Sequence, residues 1–131
     1  MIAAGAEVDS RPARRAMPLL SLTTSAPPPT ERGRLLAHLS ALLARELNKP
    51  EPYVMVSLQP RAEMSFGGTT RPACYAELKN VGSLPPERVE QLSQLLCTEL
   101  ARGLGVDQDR IYIEFTNADG ALWGWNGGTF A

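Results

Sequence analysis

Pro18 follows Met17 and opens the run Leu19-Leu20-Ser21-Leu22. Proline is the one residue whose nitrogen, at the start of a chain, is a secondary amine and therefore a base. Inside a chain the same atom belongs to an amide, with no usable lone pair and no N–H. An α-amino group has a reference pKa of about 8. An apolar pocket and a neighbouring cation both push that value down. Two effects of roughly one unit each leave much of the amine neutral at pH 7, as a general base requires. This chemistry needs a chain that begins at Pro18, and sixteen residues precede Met17.

The sequence offers few other reagents. No His, Cys and carboxylate cluster has metal-ligand spacing, and there is no Cys-x-x-Cys pair or Gly-x-x-x-x-Gly-Lys phosphate loop. Neither a metal nor a cofactor is expected. Gly67-Gly68 and Gly127-Gly128 read as turn glycines, and His38, the single histidine, as a residue on a helix surface. Cys74 falls in an alternating segment and Cys97 on a helical apolar face, so both read as buried thiols. What remains is a proline amine, lysines, tyrosines and carboxylates. Taken alone, Lys49 is a helix-end lysine on the helix dipole, and Val81 is a strand-end core residue.

The elements that must position these groups follow from periodicity. Residues 18 to 24 predict a first strand. Thr30 is a candidate N-cap for a helix whose apolar stripe is Leu35, Leu39, Leu42, Leu43 and Leu47. Asn48-Lys49-Pro50 ends it, because the residue before a proline avoids the helical basin. Tyr53 to Leu58 predicts a second strand, stopped by Pro60. Residues 61 to 72 form a turn-rich connection with room for a very short strand. Cys74 to Lys79 predicts a third strand, with Ala76 and Leu78 on the face of Cys74. Pro85-Pro86 suits a helix start, Val89, Leu92, Leu96 and Leu100 line its core face, and Gly103 and Gly105 end it. Ile111 to Phe115 predicts a fourth strand.

A repeat organises these pieces. Leu43-Ala44-Arg45-Glu46-Leu47 recurs 57 positions later as Leu100-Ala101-Arg102-Gly103-Leu104, and the same offset lays Val54-Met55-Val56 on Ile111-Tyr112-Ile113. Two copies of a right-handed βαβ unit side by side give an α+β, two-layer sandwich: a four-stranded mixed sheet with both helices on one face. Trp123, Trp125 and Phe130 in the tail call for something to pack against.

In collinear order, Met17-Pro18, Asn48-Lys49-Pro50, Phe66-Gly67-Gly68, Val81-Gly82, Asp109-Arg110-Ile111-Tyr112-Ile113 and Gly124-Trp125-Asn126-Gly127-Gly128-Thr129-Phe130-Ala131 resemble the macrophage migration inhibitory factor family. That family lies within the tautomerase superfamily, whose members use an amino-terminal proline. The resemblance covers residues 17 to 131. It implies a homotrimer in which each subunit's sheet encloses a central channel and each tail adds a short strand to a neighbour. It implies keto–enol tautomerisation of small aromatic α-keto acids of the phenylpyruvate type, with the Pro18 amine as general base. Lys49 then pairs with the substrate carboxylate, Val81 lines the pocket, and Tyr112 reaches it from a neighbouring subunit.

Glu114 departs from the pattern, standing where relatives carry an asparagine. A carboxylate there would repel an anionic substrate and raise the Pro18 pKa, or else pair with Lys49. Reduced or altered activity toward phenylpyruvate-like acids is therefore expected. The dithiol of some relatives has no counterpart, since the local stretch is Cys74-Tyr75-Ala76-Glu77. Because the animal relatives are also cytokines, the resemblance implies a second reading: a secreted protein that binds a cell-surface receptor and keeps a weak or vestigial pocket.

Composition narrows the field. The 131 residues carry 13 basic and 14 acidic side chains, a net charge of −1, which argues against nucleic acid or an anionic membrane as partner. No run approaches the ~20 apolar residues of a membrane span, so membrane insertion is not expected. Residues 1 to 16 include Arg11, Arg14 and Arg15 but no apolar core of a secretory signal, and Glu7 and Asp9 do not suit a transit peptide. They are expected to be a disordered leader, either a mis-assigned start or a remnant of cloning, ahead of one domain over 17 to 131. The expected location is the cytoplasm, with any secretion by a non-classical route.

Overall fold

The computed structural model describes residues 18–131; the expected leader and Met17 lie outside them. The two βαβ units are present. β1 (Pro18–Thr24), α1 (Arg32–Leu47) and β2 (Met55–Gln59) form the first, and β3 (Cys74–Val81), α2 (Pro86–Leu104) and β4 (Ile111–Ala118) the second. The sheet order is β2-β1-β3-β4. β1–β2 and β3–β4 pair in parallel, and β1–β3 joins the units antiparallel.

Alternation decides which face is covered. Leu20 and Leu22 of β1 and Cys74, Ala76 and Leu78 of β3 are buried against Leu39, Leu42 and Leu43 of α1 and Leu92, Leu96 and Leu100 of α2. Both helices therefore lie on one side, as the repeat predicts. The other face carries Ser21, Ser57, Glu77, Lys79 and Glu114, none of them buried. Among the described residues, no helix is long and apolar enough to cross a membrane.

Several expected boundaries move. Glu31, not Thr30, precedes α1, and it makes no side-chain cap. Its carboxylate is instead 2.9 Å from Arg34 Nε. β2 begins at Met55 because Glu51–Tyr53, with Pro52 inside it, tightens into a 3-10 turn. β3 and β4 run on to Val81 and Ala118, since their mutual register continues through Asn80–Asn117 and Val81–Ala118. Val89 is only half-buried, and Leu104 completes the α2 stripe in its place. Cys97 is also only half-buried, whereas Cys74 is fully buried and its thiol pKa is pushed up to about 11, chiefly by desolvation.

Gly103 lies inside α2 and does not end it; Gly105, in the left-handed conformation, does. A Cβ at Gly103 would stand 2.6 Å from Leu35 Cδ1 of α1, so a larger residue there would have to displace that side chain. In the 61–72 connection the short strand reduces to a single bridge, Phe66–Thr69.

That connection is clasped by Arg110, which sequence reading did not single out. The side chain is 5% exposed. Its Nε donates to Pro72 O at 2.9 Å and Nη1 to Phe66 O at 3.1 Å. Nη2 donates to Thr69 O and Arg71 O at 3.3 and 3.0 Å. Hydrogen bonds to a charged group are each worth about 1.5–3 kcal/mol. Arg110→Leu should therefore lower the unfolding free energy by about 3 kcal/mol, read by urea denaturation. Arg110→Lys should recover less than half, because an ammonium cannot span four carbonyls. A loss below about 1 kcal/mol for Arg110→Leu would show that the loop holds itself.

Candidate active site

The antiparallel join sets the site. Pro18 pairs with Asn80, and Val81 pairs with Ala118. Pro18 is fully buried and Val81 is 5% exposed. The start of β1, the segment entering β2 and the ends of β3 and β4 all meet at this edge, since Leu19 pairs with Met55.

Lys49 follows the α1 terminus on the path into β2. Asn48 adopts the left-handed conformation at φ 54°, ψ 51°, and the Lys49 N–H donates to Ala44 O at 2.9 Å. The chain is thereby turned out of the helix toward Pro50 and the 51–53 turn. Lys49 is half-buried, and desolvation depresses its pKa below the usual lysine value. It has no ion pair among the described residues. A lysine held in a desolvating place without a carboxylate partner is available to a bound anion.

The tail supplies a wall to this corner. Tyr53 meets the Trp125 ring edge-on at 5.4 Å and the Phe130 ring at 6.4 Å, and Trp125 stacks on Phe130 at 5.8 Å. The Phe130 N–H donates to Gly120 O and Trp123 O, fixing the ring where it is 4% exposed. The sequence marks Tyr53 only as a strand residue, whereas it closes the 51–53 turn and meets the tail.

Tyr112 does not join this group within one chain. It pairs with Tyr75, at the opposite end of β3 from Asn80, and lies on the uncovered face at 66% exposure. Five residues at about 3.3 Å each separate the two rows by roughly 16 Å. Tyr112 packs instead on Phe66, 4.7 Å between ring centroids, and the Arg110 guanidinium lies 5.2 Å from the far ring's centre.

Glu114 stands on the same face as Tyr112, paired across the sheet with Glu77. Thr116 Oγ1 donates to its two oxygens at 2.9 and 2.8 Å. Within one chain it is not paired with Lys49. Glu77 accepts the Tyr75 hydroxyl at 3.0 Å, a bond that raises the Tyr75 pKa. His38 lies on the helix surface, as expected, with Nε2 2.8 Å from Glu99 Oε1. Among the described residues no group of three His, Cys, Asp or Glu could hold a metal.

Comparison with known proteins converges on one group. The family model described as macrophage migration inhibitory factor matches residues 17–131. A macrophage migration inhibitory factor homolog of Trichinella spiralis is 37% identical over 114 residues, covering 87% of this chain and all of the relative. The crystal structure of a homologue from Prochlorococcus marinus superposes with a TM-score of 0.83 at 44% identity, covering 86% of this chain and 99% of that one. The Trichinella spiralis structure gives 0.76 at 34% identity, with 85% and 98% covered. Whole relatives thus correspond to the stretch from residue 17 onward.

The Lys49 environment yields a stability test. A lysine whose folded pKa lies below its unfolded value destabilises the fold most at low pH. That burden lifts as pH rises through the folded pKa toward about 10.4. Lys49→Met should therefore not destabilise the protein at pH 7, and any gain should shrink between pH 7 and pH 10 in urea unfolding. A loss above about 1 kcal/mol at pH 7 would mean that Lys49 is held by a partner.

Proposed function

Since the chain belongs to the macrophage migration inhibitory factor family, we propose that it is a proline-based tautomerase acting once Pro18 is the free amino terminus. What supports this reading is that Pro18 is buried opposite Asn80 and next to the buried Val81, while Lys49, partly desolvated, has no ion-pair partner among the described residues. Apolar surroundings and the Lys49 ammonium both disfavour a charged amine, so the Pro18 nitrogen is poised as a base near neutral pH.

The substrate is a small enolisable aromatic α-keto acid of the phenylpyruvate type. Its carboxylate pairs with Lys49, which has no other ion-pair partner among the described residues. The neutral Pro18 nitrogen takes the proton from the enol oxygen or the adjacent carbon and returns it to the other position. No net oxidation or group transfer occurs. Trp125, braced by Tyr53 and the buried Phe130, provides apolar surface for an aromatic ring.

Tyr112 completes the site only by assembly. It lies roughly 16 Å along the sheet from the Pro18 row and on the opposite face. A ring of three subunits would bring each Tyr112 to a neighbour's Pro18. The polar uncovered face, with Ser21, Ser57, Glu77 and Glu114, suits a water-lined channel better than a dry core. Glu114 would arrive with Tyr112 and place a carboxylate near the anionic substrate, weakening its binding.

The test is turnover of the phenylpyruvate enol by the chain beginning at Pro18. Pro18→Gly in that chain, and the unprocessed chain starting at Met1, should each lose at least about 100-fold in kcat/KM, the usual worth of a positioned base. Turnover that persists in either contradicts the proposal. Glu114→Asn should raise kcat/KM about fivefold, as removal of roughly 1 kcal/mol of charge repulsion implies. An unchanged or lower rate would remove Glu114 from the pocket.

A further inference from the structure

We propose that Asn80 is the positioning residue for the Pro18 amine: its Oδ1 accepts the N–H that Pro18 gains when the chain begins there, and so fixes the direction of the nitrogen lone pair. This rests on the reading of Pro18 as a free amine. Asn80 is 2% exposed, and its Oδ1 is a buried side-chain oxygen with no hydrogen-bond partner. Buried amide oxygens nearly always have a donor, so an orphan in the interior points to a group that is missing.

The missing donor is narrowed by the surroundings. Asn80 ends the helix-facing stripe Cys74, Ala76, Leu78, Asn80, whose other members are apolar and offer nothing. Across β4, Asn117 commits its own Oδ1 to the Leu84 N–H at 3.2 Å. Lys79 belongs to the other face, with its Nζ 3.9 Å from Glu77. The amide Nδ2 lies toward Gly82, 3.6 Å from where a Cβ would stand on that residue, and Gly82 at φ +123° leaves it room. The direct cross-strand neighbour of Asn80 is Pro18, on the same buried face. Directly opposite residues of an antiparallel pair have side chains about 5 Å apart.

In the unprocessed chain Pro18 cannot answer this acceptor, because its nitrogen carries no hydrogen. Hydrolysis of the Met17–Pro18 bond leaves the hydroxyl on Met17 and a hydrogen on the Pro18 nitrogen. The neutral amine then has one N–H and one lone pair. Holding the N–H against Asn80 turns the lone pair away from the strand and toward the pocket, where a general base must be aimed. The ammonium also carries an N–H, so the contact survives each protonation cycle.

The test compares thermal unfolding of the full chain with that of the chain beginning at Pro18, at equal protomer concentration. Asn80→Ala should lower the Tm of the processed chain by about 4 °C more than that of the full chain. Asn80→Ser, which keeps an acceptor, should recover at least half of the difference, and it replaces the alanine variant should that one not fold. In the processed chain, Asn80→Ala should also lower kcat about tenfold with KM changed less than twofold. Equal Tm shifts in the two chains, or an unchanged kcat in an active enzyme, overturn the inference. If the processed chain shows no turnover while the unequal Tm shifts remain, the tautomerase reading fails and the Asn80 contact stands.

Discussion

Seven consecutive pairs between β1 and β3, from Pro18–Asn80 to Thr24–Cys74, weld the two βαβ halves into one sheet. A slip of one residue in this register would turn Leu20 and Leu22 out of the core and Leu19 and Ser21 into it. The hydrophobic stripe therefore pins the register, and the register pins Pro18 opposite Asn80 and beside Val81. The position of one nitrogen is thus a consequence of leucine burial several residues away. Placing a reactive group on a central strand confers more precision than a loop could.

The same geometry divides the chemistry between two ends of the sheet. Pro18 and Val81 lie where β1 begins, while Tyr112 and its support from Phe66 and Arg110 stand where β4 begins, so the proposed chemistry would need both ends. Neither end is a site alone. Joining the end of one subunit to the opposite end of the next is a heterologous contact, which closes into a ring when the rotation permits. The exposed Tyr112, Met55 and Leu122 are side chains that such a contact would cover.

The fold was largely legible because its signals are periodic. The 57-residue repeat gave the two units, and the leucine spacing gave both helices and the covered face. Errors fell where local chemistry competes. Thr30 has the right chemistry for a cap, yet Glu31 takes the position and spends its carboxylate on Arg34. Gly103 reads as a stop, but contact with Leu35 makes it a packing residue. Lys49, Val81 and Tyr112 entered through resemblance, since a lysine, a valine and a tyrosine carry no signature of their own. Asn80 was legible in principle, as a polar residue on an apolar alternation. Arg110 was not, because its four acceptors come from a connection whose path no pattern specifies.

The proposed chemistry requires the Pro18 nitrogen to be a free amine in the working protein. Amino-terminal sequencing, with intact mass, of the protein isolated from the cells that make it tests this most directly. The expected result is proline at the first cycle and a mass that lacks every residue up to Met17. A protein that retains Met17, or any residue before it, would leave that nitrogen an amide and contradict the account.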